Sequence, residues 1–247
     1  MLGALSTILI PFLMLAAGEA RRDFHAALEA VAVEDFEKAL GHFEAALKAD
    51  PDNLRYGSEY RQAAIKTKSY DRCIAFFERL VAENPSAANA FLNYGFAYVD
   101  KIPDAGAITQ VINANTALTY FSKSLEVKPT WIAYYTRGNS YLFWPKIFNR
   151  THLGVADLEE ALRIQKSEDK GIHHARAYVA LGDGHWKMDD PARAKAVWRE
   201  GLREFPDHGQ LRKRLSADDN EMAAILRSVY DPNVRVDTNL EDLWRDQ

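Results

Sequence analysis

The sequence predicts an all-α protein built from repeated helical hairpins, and three observations support this prediction. Ala, Leu, Glu, Lys and Arg dominate the composition, and these residue types favour helix. No alternating apolar and polar run bounded by turn residues marks a strand. Prolines at positions 51, 85, 129 and 206 close segments that share one apolar pattern. Repetition of that pattern indicates a repeated structural unit.

The clearest hairpin lies between Ala175 and Pro206. In its first half, Tyr178, Leu181 and Gly182 fall on one face of a helix because their spacing follows the helical period. Gly182 carries no side chain, so a neighbouring helix can approach closely there. The first half therefore predicts a helix that packs tightly against a partner.

A break and a second helix complete this hairpin. Asp190 is of a type that caps helices, and Pro191 suits the first turn of a new helix. Trp198 and Leu202 then mark the apolar face of the second helix. Pro206 ends the unit because proline cannot continue a helix.

The hairpin consists of two antiparallel helices in about 34 residues. Its order of aromatic, Leu-Gly, small, aromatic and small positions before a proline resembles the tetratricopeptide repeat. His185 departs from the pattern because it stands where the family usually has a tyrosine. The resemblance implies a right-handed superhelix of antiparallel hairpins, a tetratricopeptide-like α-solenoid with a C-terminal capping helix. It further implies a concave face, lined by the first helices, that binds another protein. We expect an exported bacterial member of this superfamily.

Four closing prolines, and a fourth hairpin recognised from Tyr134, Gly138 and Tyr141 although it lacks a closing proline, predict five hairpins followed by a C-terminal cap. The third hairpin contains about ten residues more than the repeat needs, and this insertion at 100–113 either confers specificity or is a tolerated loop. The expected ranges of the hairpins are 21–53, 54–87, 88–129, 130–166 and 174–208. The capping helices and an acidic tail are expected over 209–247.

Two features lie outside the regular pattern. Arg61 stands where the repeat would have a glycine, which predicts looser packing of that first helix. The acidic tail ends near Trp244, and we expect this side chain to dock on the cap. The basic run Arg212–Arg214 would attract the tail by opposite charge.

Residues 1–20 form the longest apolar run and predict a signal peptide, with cleavage after Gly18 or Ala20. No basic residue precedes the apolar core, and Arg21 and Arg22 follow it. An uncleaved membrane anchor and a buried helix therefore remain alternatives. Export would place the protein in the periplasm, with no membrane span in the mature form.

Charge and cysteine content exclude several classes of function. The net charge of −4 argues against a surface that binds nucleic acid. Cys73 is the single cysteine, so no disulfide can form within the chain, and no cysteine motif for zinc, haem or redox chemistry is present. We therefore expect no metal and no cofactor.

The resemblance places partner-binding positions on the first helices of the third, fourth and fifth hairpins. Aromatic side chains there would clamp apolar groups, and each asparagine offers a donor and an acceptor to a peptide backbone. Packing against neighbouring helices is the alternative for each position. The candidate residues are Asn93, Phe96, Tyr135, Asn139, Phe143, Asp183, Trp186 and Lys187.

No pattern in the sequence indicates catalysis. Metalloprotease, nucleophile-elbow and phosphate-loop motifs are absent from the sequence. His174 and His185 share a helical face but would lie ~16 Å apart, too far to bind one metal.

The sequence therefore predicts a non-catalytic adaptor or scaffold that binds a partner protein or peptide, and no nucleic acid. A self-assembling envelope scaffold is one alternative, and an accessory subunit of an exported enzyme complex is another. The oligomeric state stays open.

Overall fold

The computed structural model describes residues 6–244, with side chains from residue 17 onward. The all-α prediction is confirmed, because these residues form twelve α-helices and no β-strand. The helices are Ser6–Ala32 (α1), Phe36–Ala49 (α2), Leu54–Thr67 (α3), Tyr70–Glu83 (α4), Ala88–Lys101 (α5), Ala107–Val127 (α6), Trp131–Leu142 (α7), Thr151–Gln165 (α8), Ala175–Lys187 (α9), Pro191–Glu204 (α10), Gly209–Ser216 (α11) and Asp219–Val229 (α12).

Helix α1 includes much of the apolar N-terminal run. Among residues 6–244, no helix combines the length and the apolar character that a membrane crossing requires. Residues 1–5 of the predicted signal peptide lie outside the described residues, and its cleavage stays a prediction.

Side-chain caps set the start of several helices. Asp35, Asn53 and Asp190 each accept a hydrogen bond from the backbone N–H three residues later, at 3.3, 3.1 and 2.9 Å. Such a bond satisfies one of the donors that a helix start leaves without a partner. Pro191 occupies the first turn of α10, so the helix start predicted at Asp190 and Pro191 is confirmed.

The described residues divide into two compact units, and the divisions fall at the end of α5, within α6, at the end of α6 and at two points in the C-terminal tail. Unit 1 comprises the described residues up to Lys101, together with Asn115–Val127 and Val236–Glu241. Unit 2 comprises Ile102–Ala114, Lys128–Arg235 and the described tail from Asp242.

An aromatic ladder forms the core of unit 1. Its rings belong to successive helices from α2 to α5, and each side chain is at most 2% exposed. Neighbouring ring centroids lie 6.5, 5.8 and 6.5 Å apart along the series Phe43, Tyr60, Phe77 and Tyr94. These rings recur at half of the ~34-residue repeat length, so each helix contributes one ring to the core. Such aromatic pairs add about 0.5–1.5 kcal/mol beyond their buried area.

Trp198 is the largest fully buried side chain in the core of unit 2. It is 0% exposed, and its Nε1 donates a hydrogen bond to the carbonyl oxygen of Val179 at 3.2 Å. A Cβ placed on Gly182 would lie 2.0 Å from Trp198 Nε1, so the predicted close approach at this glycine is confirmed. Leu211 of α11 and Met222 of α12 are 0% exposed in the same core. The cap helices are therefore an integral part of unit 2.

We predict that Gly182→Ala destabilises the protein, because the added methyl group must displace the buried ring of Trp198. Overpacking of this kind costs about 1–3 kcal/mol. Gly41→Ala is the matched control, since an added Cβ at this exposed helical position meets nothing within 4 Å. That change should stabilise the protein by about 0.5–1 kcal/mol. Urea denaturation measures both effects, and equal stability of Gly182→Ala and the wild type would contradict the packing described here.

Candidate functional site

Arg61 is the centre of the candidate site in unit 1. Its side chain is 0% exposed. Nε donates to Asn93 Oδ1 at 2.9 Å, and Nη1 donates to Asp100 Oδ2 at 2.7 Å. The guanidinium carbon lies 4.6 Å from the ring centroid of Phe96, which is cation–π distance. Arg61 therefore joins α3 to α5 at a position where the sequence predicted looser packing.

The C-terminal segment Val236–Glu241 lies against the same helices. Arg61 Nη2 donates to the backbone carbonyl oxygen of Thr238 at 3.1 Å. The Thr238 hydroxyl in turn donates to Asp100 Oδ1 at 2.6 Å. Thr238 is 5% exposed and Leu240 is 3% exposed, so unit 1 encloses both residues. First-helix side chains of unit 1 thus hold a short non-helical peptide.

These hydrogen bonds explain how unit 1 tolerates two buried opposite charges. A buried ion pair is stable only when further hydrogen bonds satisfy the donors and lone pairs that the pair leaves over. All three guanidinium nitrogens of Arg61 donate, and both carboxylate oxygens of Asp100 accept. Thr238 supplies one acceptor and one donor to this network, so the tail is part of the charge compensation.

Glu59 on α3 brings a second charge close to the tail. Burial raises the pKa of its carboxyl, the nearby charge of Glu241 raises it further, and Arg55 and Arg61 oppose the rise. A nearby carboxylate disfavours the ionised form of Glu59. The last residue of the docked segment therefore lies within electrostatic reach of α3.

The predicted groove residues of unit 1, Asn93 and Phe96, both contact Arg61. Asn93 is 1% exposed, and its Nδ2 donates to the carbonyl oxygens of Leu54 and Asn89 at 3.3 and 3.1 Å. Its Oδ1 accepts from Arg61, so both ends of the amide are used inside the unit. Phe96 is 7% exposed under the guanidinium. Neither side chain lines an open surface.

Three predicted groove residues of unit 2 surround Tyr230. Its hydroxyl donates to Asp183 Oδ2 at 3.0 Å. The ring of Phe143 meets the ring of Tyr230 edge-on with centroids 5.1 Å apart, and Lys187 Nζ lies 4.9 Å from the Tyr230 centroid. Lys187 also donates to the carbonyl oxygen of Leu142. Burial lowers the pKa of Lys187, and the carboxylate of Asp183 opposes this shift.

Asp183 forms the second buried ion pair of the protein, with Arg214 of α11. Arg214 Nε and Nη2 donate to its two carboxylate oxygens at 2.6 and 2.8 Å. Asp183 is 0% exposed and Arg214 is 1% exposed. Burial raises the pKa of Asp183, and the hydrogen bonds from Arg214 and Tyr230 counter that rise. The side chain of Asp183 is therefore engaged by the cap of its own unit.

The remaining candidates of unit 2 keep part of their surface exposed. Tyr135 stacks on Trp131 with centroids 5.1 Å apart and planes at 4°, and burial raises its pKa. Trp186 stacks on Trp198 at 5.9 Å. Asn139 is half-buried one helical turn after Tyr135. Phe143 and Lys187 are also half-buried, so five predicted positions of unit 2 have surface left for a partner.

Asp242 of the acidic tail pairs with α9 rather than with the basic run of α11. Asp242 forms an ion pair with Arg176 of α9 at 2.7 Å. Arg212 donates to backbone carbonyl oxygens, and Arg214 is buried in its ion pair with Asp183 of α9. The predicted attraction to α11 is therefore wrong for Asp242, and for the rest of the acidic tail it stays a prediction. Trp244 is half-buried, and its docking on the cap stays a prediction.

Sequence reasoning missed Thr238 and Leu240, which no periodic pattern marks. The single sequence signal for the docked tail was Arg61, which stands where the repeat usually has glycine. A buried arginine requires hydrogen-bond acceptors, and the tail supplies one of them. Within residues 6–244, no group of three or more His, Cys, Asp or Glu side chains is placed to hold a metal ion.

Comparison with known proteins gives one family. The family model described as tetratricopeptide repeat matches residues 30–93, which extend from the end of α1 into α5. Residues 30–93 therefore resemble this family, and the described residues have the all-α solenoid fold of tetratricopeptide repeat proteins. This superfamily consists mainly of non-catalytic protein–protein interaction modules, and its helical solenoid fold agrees with the structure.

Three solved structures of similar fold illustrate the likeness. A thermophilic tetratricopeptide repeat protein of Thermus thermophilus is 21% identical with a TM-score of 0.56, over 80% of this chain and 97% of that one. The MamA protein is 16% identical with a TM-score of 0.51, over 75% of this chain and 91% of that one. A tetratricopeptide repeat protein from Parabacteroides merdae is 13% identical with a TM-score of 0.53, over 85% of this chain and 77% of that one. At these sequence identities the likeness shows a shared fold and nothing more.

We predict strong energetic coupling between Arg61 and Asp100. Arg61→Met or Asp100→Leu alone leaves a buried charge without its ion-pair partner and should cost about 3–5 kcal/mol. The double variant should cost clearly less than the sum, because it removes both charges. A double-mutant cycle by urea denaturation measures the coupling, with the exposed Arg163–Glu160 pair as the weakly coupled control. Additive costs for the Arg61 pair would contradict the network.

We predict that unit 2 loses stability on acidification. Burial is the first cause that lowers the pKa values of His173, His174, His185 and His208, while Glu168 opposes the shift of His174. The unfolded chain therefore protonates first, near a pKa of about 6.5. The stability contribution is complete above that pH and is lost as the pH falls through the lower folded values.

Thermal unfolding followed by circular dichroism at about pH 7.5 and about pH 5.5 brackets this range. The melting temperature should be lower at the acidic pH. His174→Gln should reduce the difference, whereas a change at exposed His152 should leave it intact. A melting temperature that rises on acidification would refute the sign.

Proposed function

We propose that this protein is a non-catalytic adaptor that binds a segment of a partner protein on the first helices of its repeats. One observation carries the proposal: side chains of α3 and α5 already hold a peptide segment, through the backbone carbonyl and the hydroxyl of Thr238. The face that binds this segment is the face on which the superfamily resemblance places a partner.

In unit 2, the same kind of face leaves polar and aromatic surface for a partner. Tyr135, Phe143 and Trp186 supply rings, and the amide of Asn139 offers a donor and an acceptor to a peptide backbone. Aromatic anchors of this kind dominate binding energy in protein interfaces. The proposed contact residues for a partner are therefore Tyr135, Asn139, Phe143, Trp186 and Lys187.

We further propose that the protein acts after export, in the periplasm, on the basis of the apolar run at residues 1–20. Retention of that run as a membrane anchor is the alternative. Both locations are compatible with a chain that forms no disulfide within itself.

We predict that peptides selected by display on the immobilised full chain bind through Asn139. Asn139→Ala removes both hydrogen bonds to the peptide backbone, which should weaken binding about tenfold. Tyr135→Ala should weaken binding by a similar factor. Asn220→Ala is the matched control, because Asn220 is an exposed asparagine in the first turn of α12. Isothermal titration calorimetry measures the affinities.

The same preparation separates the proposal from its alternatives. Light scattering should show a species whose mass does not change with concentration. Two results together would favour the self-assembling scaffold over the adaptor. They are failure to select any peptide, and an oligomer whose mass rises with concentration and is unchanged by Tyr135→Ala. If neither Asn139→Ala nor Tyr135→Ala changes the affinity for a selected peptide, the partner binds at another surface.

A further inference from the structure

The docked segment in unit 1 is arranged like a bound ligand. Along Val236–Glu241 the buried residues alternate with more exposed ones: Thr238 and Leu240 are 5% and 3% exposed, while Asp237 is exposed and Asn239 is half-buried. Unit 1 therefore selects every second side chain of this segment. Such alternation is the usual way in which a surface recognises a short peptide.

We propose that residues 236–241 are a tethered occupant of a peptide site on α3 and α5. Resting on the adaptor function proposed above, the inference is that this site accepts from a partner protein a short non-helical segment with Thr or Ser and, two residues later, Leu. The protein's own tail competes with that partner segment.

The polar groups of the site define the first requirement. Asp100 accepts from Arg61 with one oxygen and from the Thr238 hydroxyl with the other, at 2.7 and 2.6 Å. A ligand must therefore offer a hydroxyl or a similar donor at this position. Valine has the shape of threonine and lacks that donor. Arg61 Nη2 needs a carbonyl oxygen, which the backbone of the same ligand residue supplies.

Most hydrogen bonds of Arg61 do not involve the tail. Two of the three bonds from the Arg61 guanidinium go to Asn93 and Asp100, both on α5. A site that is organised in advance binds a ligand without a further ordering cost. The tail supplies the third acceptor, and a peptide with the same chemistry can replace it.

The connection of the tail to the rest of the chain makes it a displaceable ligand. Residues 232–235 are exposed and connect the docked segment to α12 through an irregular stretch. A tether provides an effective concentration in the millimolar range, about what a weak ligand needs to stay bound. A partner segment that binds the site more tightly than the tail therefore displaces it.

The test uses a fluorescent peptide of residues 233–244 and full-length proteins. Wild type should bind the peptide poorly because its own tail occupies the site. Thr238→Val weakens that tail by removing the hydroxyl at nearly constant volume, so this variant should bind the peptide at least tenfold more tightly. Thr238→Ser keeps the hydroxyl and should match the wild type. A peptide that itself carries Thr238→Val should bind neither protein.

Equal affinity of the wild type and Thr238→Val for the peptide would overturn the proposal, as would tight binding of the valine peptide or no binding to any form. A dimer that appears in light scattering as concentration rises would assign the tail to a second copy of this chain, and would overturn the partner assignment. Circular dichroism confirms that each variant is folded.

Hydrogen exchange on the wild type keeps the proposal testable if Thr238→Val does not fold. Excess peptide carrying Glu241→Gln should displace the tail and raise amide exchange over residues 236–241 at least fivefold, while exchange in α9 stays unchanged. Unchanged exchange over 236–241 would overturn the proposal.

The two proposals can fail separately. Display-selected peptides that depend on Asn139 but never compete with the tail peptide would leave the adaptor function in place and remove the present inference. Absence of any peptide binding would remove both.

Discussion

The positive charge of Arg61 is fully buried, and the surrounding part of unit 1 is arranged to compensate it. A guanidinium out of water needs an opposite charge and acceptors for its remaining N–H groups. Asp100, Asn93 and the ring of Phe96 provide most of this from α5. The last acceptor is the carbonyl oxygen of Thr238, far along the chain. Docking of the tail thus follows from one arginine at a position where the repeat usually has glycine.

Unit 2 compensates its own buried charge in the same way. Asp183 on the first helix of the fifth hairpin is buried, and Arg214 and Tyr230 from the C-terminal cap hydrogen-bond both of its oxygens. In each unit, a charged side chain on a first helix is satisfied by residues that follow the last hairpin. The residues after the last hairpin therefore complete the polar interior of both units. In unit 1 they also occupy the surface that we propose for a partner segment.

The fold was predictable because its signals are local and periodic. The helix break at Asp190 and the glycine opposite Trp198 lie within one hairpin, and short-range spacing identifies both. The docked tail was not predictable, since Arg61 and Thr238 are separated by 177 residues and no sequence period links them. Asn93 illustrates the consequence. Its residue type and position suggested a contact with a partner, but its amide oxygen accepts a hydrogen bond from Arg61 of another hairpin.

Compensation of Arg61 by the tail is the central claim, and NMR of the arginine side chain tests it most directly. A guanidinium held by three acceptors cannot rotate freely, so the Nη groups of Arg61 should give separate, slowly exchanging proton signals in the wild type. Thr238→Val should shift and broaden the Nη2 signal while leaving Nε in place. A single averaged Nη signal, as an arginine in water gives, would contradict the account.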